Sequence, residues 1–132
     1  MTLAALRIVG TGLALCLMLG EVWRSWGVGR PLVFVLDDFV FGIPLLVGAV
    51  TARYARPRTV TLLAVGYAGC AGMLYGSFFT KVVEPETTVA GNWNADVLTV
   101  LIGLAFVVSV VGAIATLAVR THTDSGSLPP LP

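Results

Sequence analysis

The sequence predicts an all-α integral membrane protein, a four-transmembrane-helix antiparallel bundle, from three observations: apolar composition, four apolar stretches of spanning length, and turn or charge signals between them. Of 132 residues, 57% are apolar and 11% charged, where soluble domains carry roughly a quarter charged residues. A soluble chain this short has too little interior to hide that much apolar surface. A bilayer supplies the missing solvent, because lipid tails accept apolar side chains while a continuous helix satisfies its own backbone N–H and C=O groups.

A helix needs about 20 apolar residues to cross the hydrocarbon core at 1.5 Å rise per residue. The stretches 3–22, 32–52, 59–80 and 96–119 qualify, giving a transmembrane domain over 1–120 and a tail over 121–132. The first stretch, with Arg7 ahead of an apolar run, has the outline of a secretory signal. No small-residue cleavage site follows it, however. Leu13-Ala14-Leu15-Cys16 also puts a bulky leucine where a lipoprotein signal carries a small residue, so the stretch reads as a helix.

Gly27-Val28-Gly29-Arg30-Pro31 breaks the chain before the second stretch, which holds Asp37-Asp38 and Pro44. Arg53-Tyr54-Ala55-Arg56-Pro57-Arg58 separates it from the third, and Glu84-Pro85-Glu86 with Gly91-Asn92 separates the third from the fourth. Connections this short imply adjacent, antiparallel helices. From Thr121 the chain turns polar and then proline-rich, a composition that predicts a flexible tail. Val47-Gly48-Ala49-Val50 and Val111-Gly112-Ala113-Ile114 read alike, with Arg56 and Arg120 at the same offset; apolar glycine-rich helices produce such short matches by composition alone.

Positively charged loops stay cytoplasmic. Arg7, Arg53, Arg56, Arg58 and Arg120 fall on one side, against Arg24, Arg30 and Lys81 on the other, so both termini are expected inside a plasma or inner membrane. Trp23, Trp26, Phe78, Phe79 and Trp93 fall near the expected outer surface, where aromatic rings anchor at headgroup level.

Net charge is +1 and the cations are scattered, which argues against a nucleic-acid partner. Cys16 and Cys70 sit in separate apolar stretches with no CxxC pair, and both read as small buried hydrophobes. The single histidine, His122, lies in the tail, so no metal or haem site is expected and no cofactor is implied. P-loop, GxSxG and HExxH patterns are missing, and no residue is assigned a catalytic role.

The residues that stand out chemically are charges within or beside the spans. One carboxylate at mid-helix costs roughly 2.5–3.5 kcal/mol on insertion scales, so Asp37 and Asp38 require a partner, a proton or water. At about 100° per residue, the face between them also carries Phe34, Phe41, Leu45, Gly48 and Ala52. Its small residues permit close approach, which predicts that this face points inward. Pro44 frees the Val40 carbonyl and predicts a kink lining a polar pocket beneath the aspartates. Glu21 and Arg24 are spaced to pair with each other, and Arg24 or Lys81 is the expected partner of the aspartates. With Asp96 opening the fourth helix, all four helices would contribute a charge to one outer cluster.

The third helix carries Ala68, Gly72 and Gly76 at four-residue spacing, a small-residue ridge suited to helix packing, within the chain or against another. The first expectation is therefore a small membrane protein of an accessory or binding kind. Its partners would be the bilayer and either a second copy or a larger membrane complex. The rival expectation is proton or small-cation transport through Asp37 and Asp38.

Overall fold

The computed structural model describes residues 1–29, 31–87 and 89–125, the side chains of Phe34, Thr87 and residues 122–125 excepted. The described residues are 86% helix, with no strand among them. Four helices, α1 (Leu3–Ser25), α2 (Leu32–Thr51), α3 (Pro57–Val83) and α4 (Ala95–Ser125), are long and apolar enough to cross a membrane. Short 3-10 turns follow α2 (Ala52–Tyr54) and α3 (Pro85–Thr87).

The helix starts follow local chemistry. The Thr2 hydroxyl accepts from the Ala5 N–H at 3.3 Å and caps α1. Pro57 opens α3, where its missing N–H costs nothing. The Asn94 side-chain oxygen accepts from the N–H groups of Asp96 (2.9 Å) and Val97 (3.3 Å) and caps α4. α2 continues through Pro44. Three helices outrun their apolar stretches, α3 by starting at Pro57 and ending at Val83. α1 extends to Ser25 because Glu21, Arg24 and Ser25 satisfy one another along its last turn, and α4 runs to Ser125. Thr121 to Ser125 of the expected tail are thus helical; its remainder lies outside the described residues.

α2 and α3 each pack along a neighbour on both sides: α1 lies against α2, α2 against α3, and α3 against α4. The tightest approach is between α2 and α3. A Cβ built on Gly48 would lie 2.7 Å from the Leu63 Cα, and one built on Gly66 would lie 2.6 Å from the Leu45 Cα, so only hydrogens fit there. The inward face expected for α2 is the one used, with Leu45, Gly48 and Ala52 buried. Phe34 of that face lies outside the described side chains.

Tyr67 of α3 is the largest fully buried side chain. Its ring lies over Gly112 of α4 and near Gly10 of α1, and its hydroxyl donates to the Leu6 carbonyl at 2.7 Å. One residue thereby joins three helices. The two similar segments of α2 and α4 present Gly48 and Gly112 to Leu63 and Tyr67, one turn apart on α3. Arg7 donates from Nε to the Ala49 carbonyl at 3.0 Å, placing a cation at the C-terminal end of α2.

Outward faces of all four helices are apolar: Ile8, Leu19, Val33, Val65, Val107 and Ile114 are each more than half exposed. Trp23 and Trp26 are exposed at the end of α1. Phe78 departs from the expected surface belt. Its ring stacks on Phe106 at a centroid distance of 6.3 Å and lies against Gly103, so it packs α3 onto α4.

The loop before α4 closes over the end of α1. Asn92 Nδ2 donates to the Trp23 and Trp26 carbonyls, both at 2.8 Å, satisfying groups the helix end leaves open. Trp93 Nε1 donates to the Gly20 carbonyl at 3.4 Å. Gly91 sits at φ +60 against the Arg24 carbonyl, a place where a side chain would be both strained and blocked.

Candidate functional site

Where α1 ends and α2 begins, the helices do not close on one another, and a cavity of about 1010 Å³ remains. That is the top of the roughly 300–1,000 Å³ range of small-molecule sites. α1 contributes Glu21 and Arg24, α2 contributes Asp37 and Asp38, and α3 contributes Ser77, Thr80 and Lys81. α4 contributes no charge but an apolar wall of Leu98, Leu101, Ile102 and Ala105, facing Leu13 and Leu17 of α1 and Met73 and Leu74 of α3. On α1 the lining runs from Leu13 to Arg24, about 16 Å along the axis at 1.5 Å per residue. The site is amphiphilic, charged at one end and hydrocarbon-like along its length.

Glu21 is the most deeply held charge, at 4% exposure. One oxygen accepts from Arg24 Nη1 at 3.3 Å and the other from the Ser25 hydroxyl at 2.8 Å, the pairing that the sequence spacing predicts. Arg24 also donates to the Val89 carbonyl, 3.2 Å from its Nε, which ties the charged end to the loop before α4. Lys81 folds back along its own helix, its Nζ 3.0 Å from the Ser77 hydroxyl and 3.3 Å from the Ser77 carbonyl. Asp38 is half-buried. Asp37 is exposed and, among the described residues, makes no hydrogen bond or ion pair.

The expected outer cluster is thus built by three helices. Asp96 is exposed in the first turn of α4 and is not among the cavity-lining residues. Its position beside the Asn94 cap suits a carboxylate, because the helix N-terminus carries partial positive charge. Pro44 does not line this cavity, which α2 meets through Asp37 and Asp38. Cys70 is buried as expected, its thiol donating to the Phe41 carbonyl at 3.5 Å. Cys16 is not: it is exposed and lines the cavity, because α1 turns its Leu6, Gly10, Ala14 and Met18 face to its neighbours.

Ala68, Gly72 and Gly76 are exposed, and no atom lies within 4 Å of a Cβ built on Gly72 or Gly76. Within the chain the close-packing role falls instead to Gly48 and Gly66. Sequence reasoning had one signal for these, Gly48 on the Asp37/Asp38 face, and none for Gly66, since a glycine meets a neighbouring backbone only once two helices are docked.

Among the described residues, no three His, Cys, Asp or Glu side chains converge to hold a metal ion. Away from the charged end, Leu6, Leu45, Leu63 and Tyr67 are fully buried and fill the space between the helices. Compared with known proteins, the chain matches no family model, no curated protein and no solved structure.

Proposed function

We propose that the chain is a multi-pass membrane protein of the binding or accessory kind, whose four antiparallel helices hold a cavity for an amphiphilic ligand from the bilayer. Membrane insertion follows from the apolar outward faces, since a soluble protein does not expose apolar surface on every side. On the arginine distribution, both termini lie in the cytoplasm and the charged end of the cavity faces outward.

The observation that carries the binding reading is the shape of the cavity. It is open and charged at one end, apolar along its walls, and backed by the fully buried layer of Leu6, Leu45, Leu63 and Tyr67. A conduction path needs polar groups or water across the full span; three side chains of this layer are aliphatic, and the Tyr67 hydroxyl is engaged with the Leu6 carbonyl. A pocket with apolar walls and a few convergent polar groups is the usual form of a small-molecule site.

A second reading, proton or small-cation transport, draws support from Asp37, an exposed carboxylate near the start of a spanning helix with no described partner. Purified protein in liposomes separates the two. The binding reading expects no protein-dependent flux of protons, sodium or potassium under an imposed gradient. Flux that disappears in Asp37→Asn or Asp38→Asn would replace it with transport.

A further inference from the structure

We infer that the ligand of this cavity is a single-chain amphiphile with a cationic, ammonium-type head, which enters sideways from the lipid between α1 and α4. The inference rests on the binding reading and adds the chemistry of the head and the route of entry.

The charge balance fixes the sign of the head. Among the described residues, Glu21, Asp37 and Asp38 line the cavity together with Arg24 and Lys81, three carboxylates to two cations. Both cations already have acceptors on the protein, Arg24 on Glu21 and the Val89 carbonyl, Lys81 on Ser77. Asp37 has no donor or cation as partner among the described residues. A cationic head brings the site to neutrality and gives Asp37 a partner. An anionic head would double the surplus negative charge of the described lining and meet like-charge repulsion there.

Aromatic chemistry points the same way. Trp23 and Trp93 line the charged end, and the Trp93 indole is anchored by its bond to the Gly20 carbonyl. Indole faces attract ammonium groups through the ring quadrupole, most strongly where water is excluded. A carboxylate with two indoles is a recognition set for an ammonium head.

The walls fix the tail and the entrance. Leu13, Leu17 and Ile102 form an apolar slot leading away from the charges. Leu15, Leu19 and Leu101 line the same cavity while remaining 42%, 65% and 43% exposed, so its α1 and α4 walls are continuous with the outer apolar surface. An alkyl chain can pass from lipid to slot without crossing water.

Cys16 provides the readout, because it lines the cavity and is exposed whereas Cys70 is buried. The full chain in maltoside micelles is alkylated with N-ethylmaleimide at pH 7.5 in the presence of dodecyltrimethylammonium, dodecanol or dodecanoate at equal mole fractions. The ammonium amphiphile should slow Cys16 alkylation at about one-tenth the mole fraction dodecanol requires, the factor that a preference of about 1.4 kcal/mol produces. Asp37→Asn should abolish that preference, whereas Asp96→Asn should keep it. Equal protection by all three amphiphiles, stronger protection by dodecanoate, or a preference surviving Asp37→Asn would overturn the cationic assignment while leaving the binding reading in place. A reactive Cys16 protected by none of the three would overturn both.

Discussion

Replacing Gly66 by alanine tests the central packing contact of this fold. A Cβ at that position would lie 2.6 Å from the Leu45 Cα, against the 3.4 Å at which ordinary contact begins, so α2 and α3 must part by about 0.8 Å. Both sides of the clash are backbone, and no side-chain rotation relieves it. A radial gap of roughly 0.5–1 Å forfeits a quarter to a half of the dispersion well between facing atoms. Leu45, Leu63 and Tyr67, all fully buried around this contact, would share the loss. Overpacking of this type costs about 1–3 kcal/mol, and opened contacts along the seam place this case at the upper end. Alanine returns about 1 kcal/mol through better helix propensity, for a net loss of about 1–2 kcal/mol.

Gly72→Ala is the internal control. It makes the same chemical change on the same helix with no atom within 4 Å, so it should be neutral or stabilising by up to about 1 kcal/mol. Equilibrium unfolding in mixed micelles of maltoside and dodecyl sulfate, followed by circular dichroism, measures both. Equal stability of the two variants would refute the close approach of α2 and α3. Loss of self-association in Gly72→Leu without loss of monomer stability would assign the exposed ridge to a second copy of the chain.

Three further outcomes are expected. Arg24→Gln should destabilise by roughly 3 kcal/mol because it strips a charged partner from the buried Glu21 carboxylate, while the double change with Glu21→Gln should cost less than the sum of the single changes; additivity in thermal unfolding would remove the ion pair as a structural contributor. Tyr67→Phe keeps the ring but loses the 2.7 Å hydrogen bond to Leu6, for a cost of about 1 kcal/mol in the same unfolding assay, and an unchanged midpoint would deny the bond a stabilising role. A cysteine introduced at Ser125 should resist a membrane-impermeant thiol reagent in intact cells while one at Glu86 reacts, and the reverse labelling would invert the proposed orientation.

Helix number and approximate length were legible in the sequence, because four stretches each supply about 20 apolar residues and each break carries charge, proline or glycine. Covalent proximity explains which finer features were legible as well. Glu21 and Arg24 lie three residues apart on one helix, so their pairing follows from helical geometry before any tertiary contact forms. The inward face of α2 was readable because small and apolar residues repeat on it at helical spacing.

What spacing cannot carry is the relation between helices, and the tertiary structure alone decided that. Apolar helices look alike to one another in sequence, so nothing in the third stretch distinguished Gly66, pressed against Leu45, from Gly72, which faces open space. Asp96 sits in the turn capped by Asn94 and does not line the cavity of Asp37 and Asp38. The cavity itself belongs to no single helix. The sequence by itself determined which residues are charged and at which end they collect, because that depends on span length and turn chemistry. Which of those charges share one cavity, three carboxylates and two cations among the described residues beside an apolar slot, was decided by how the helices dock through contacts between residues remote in the chain.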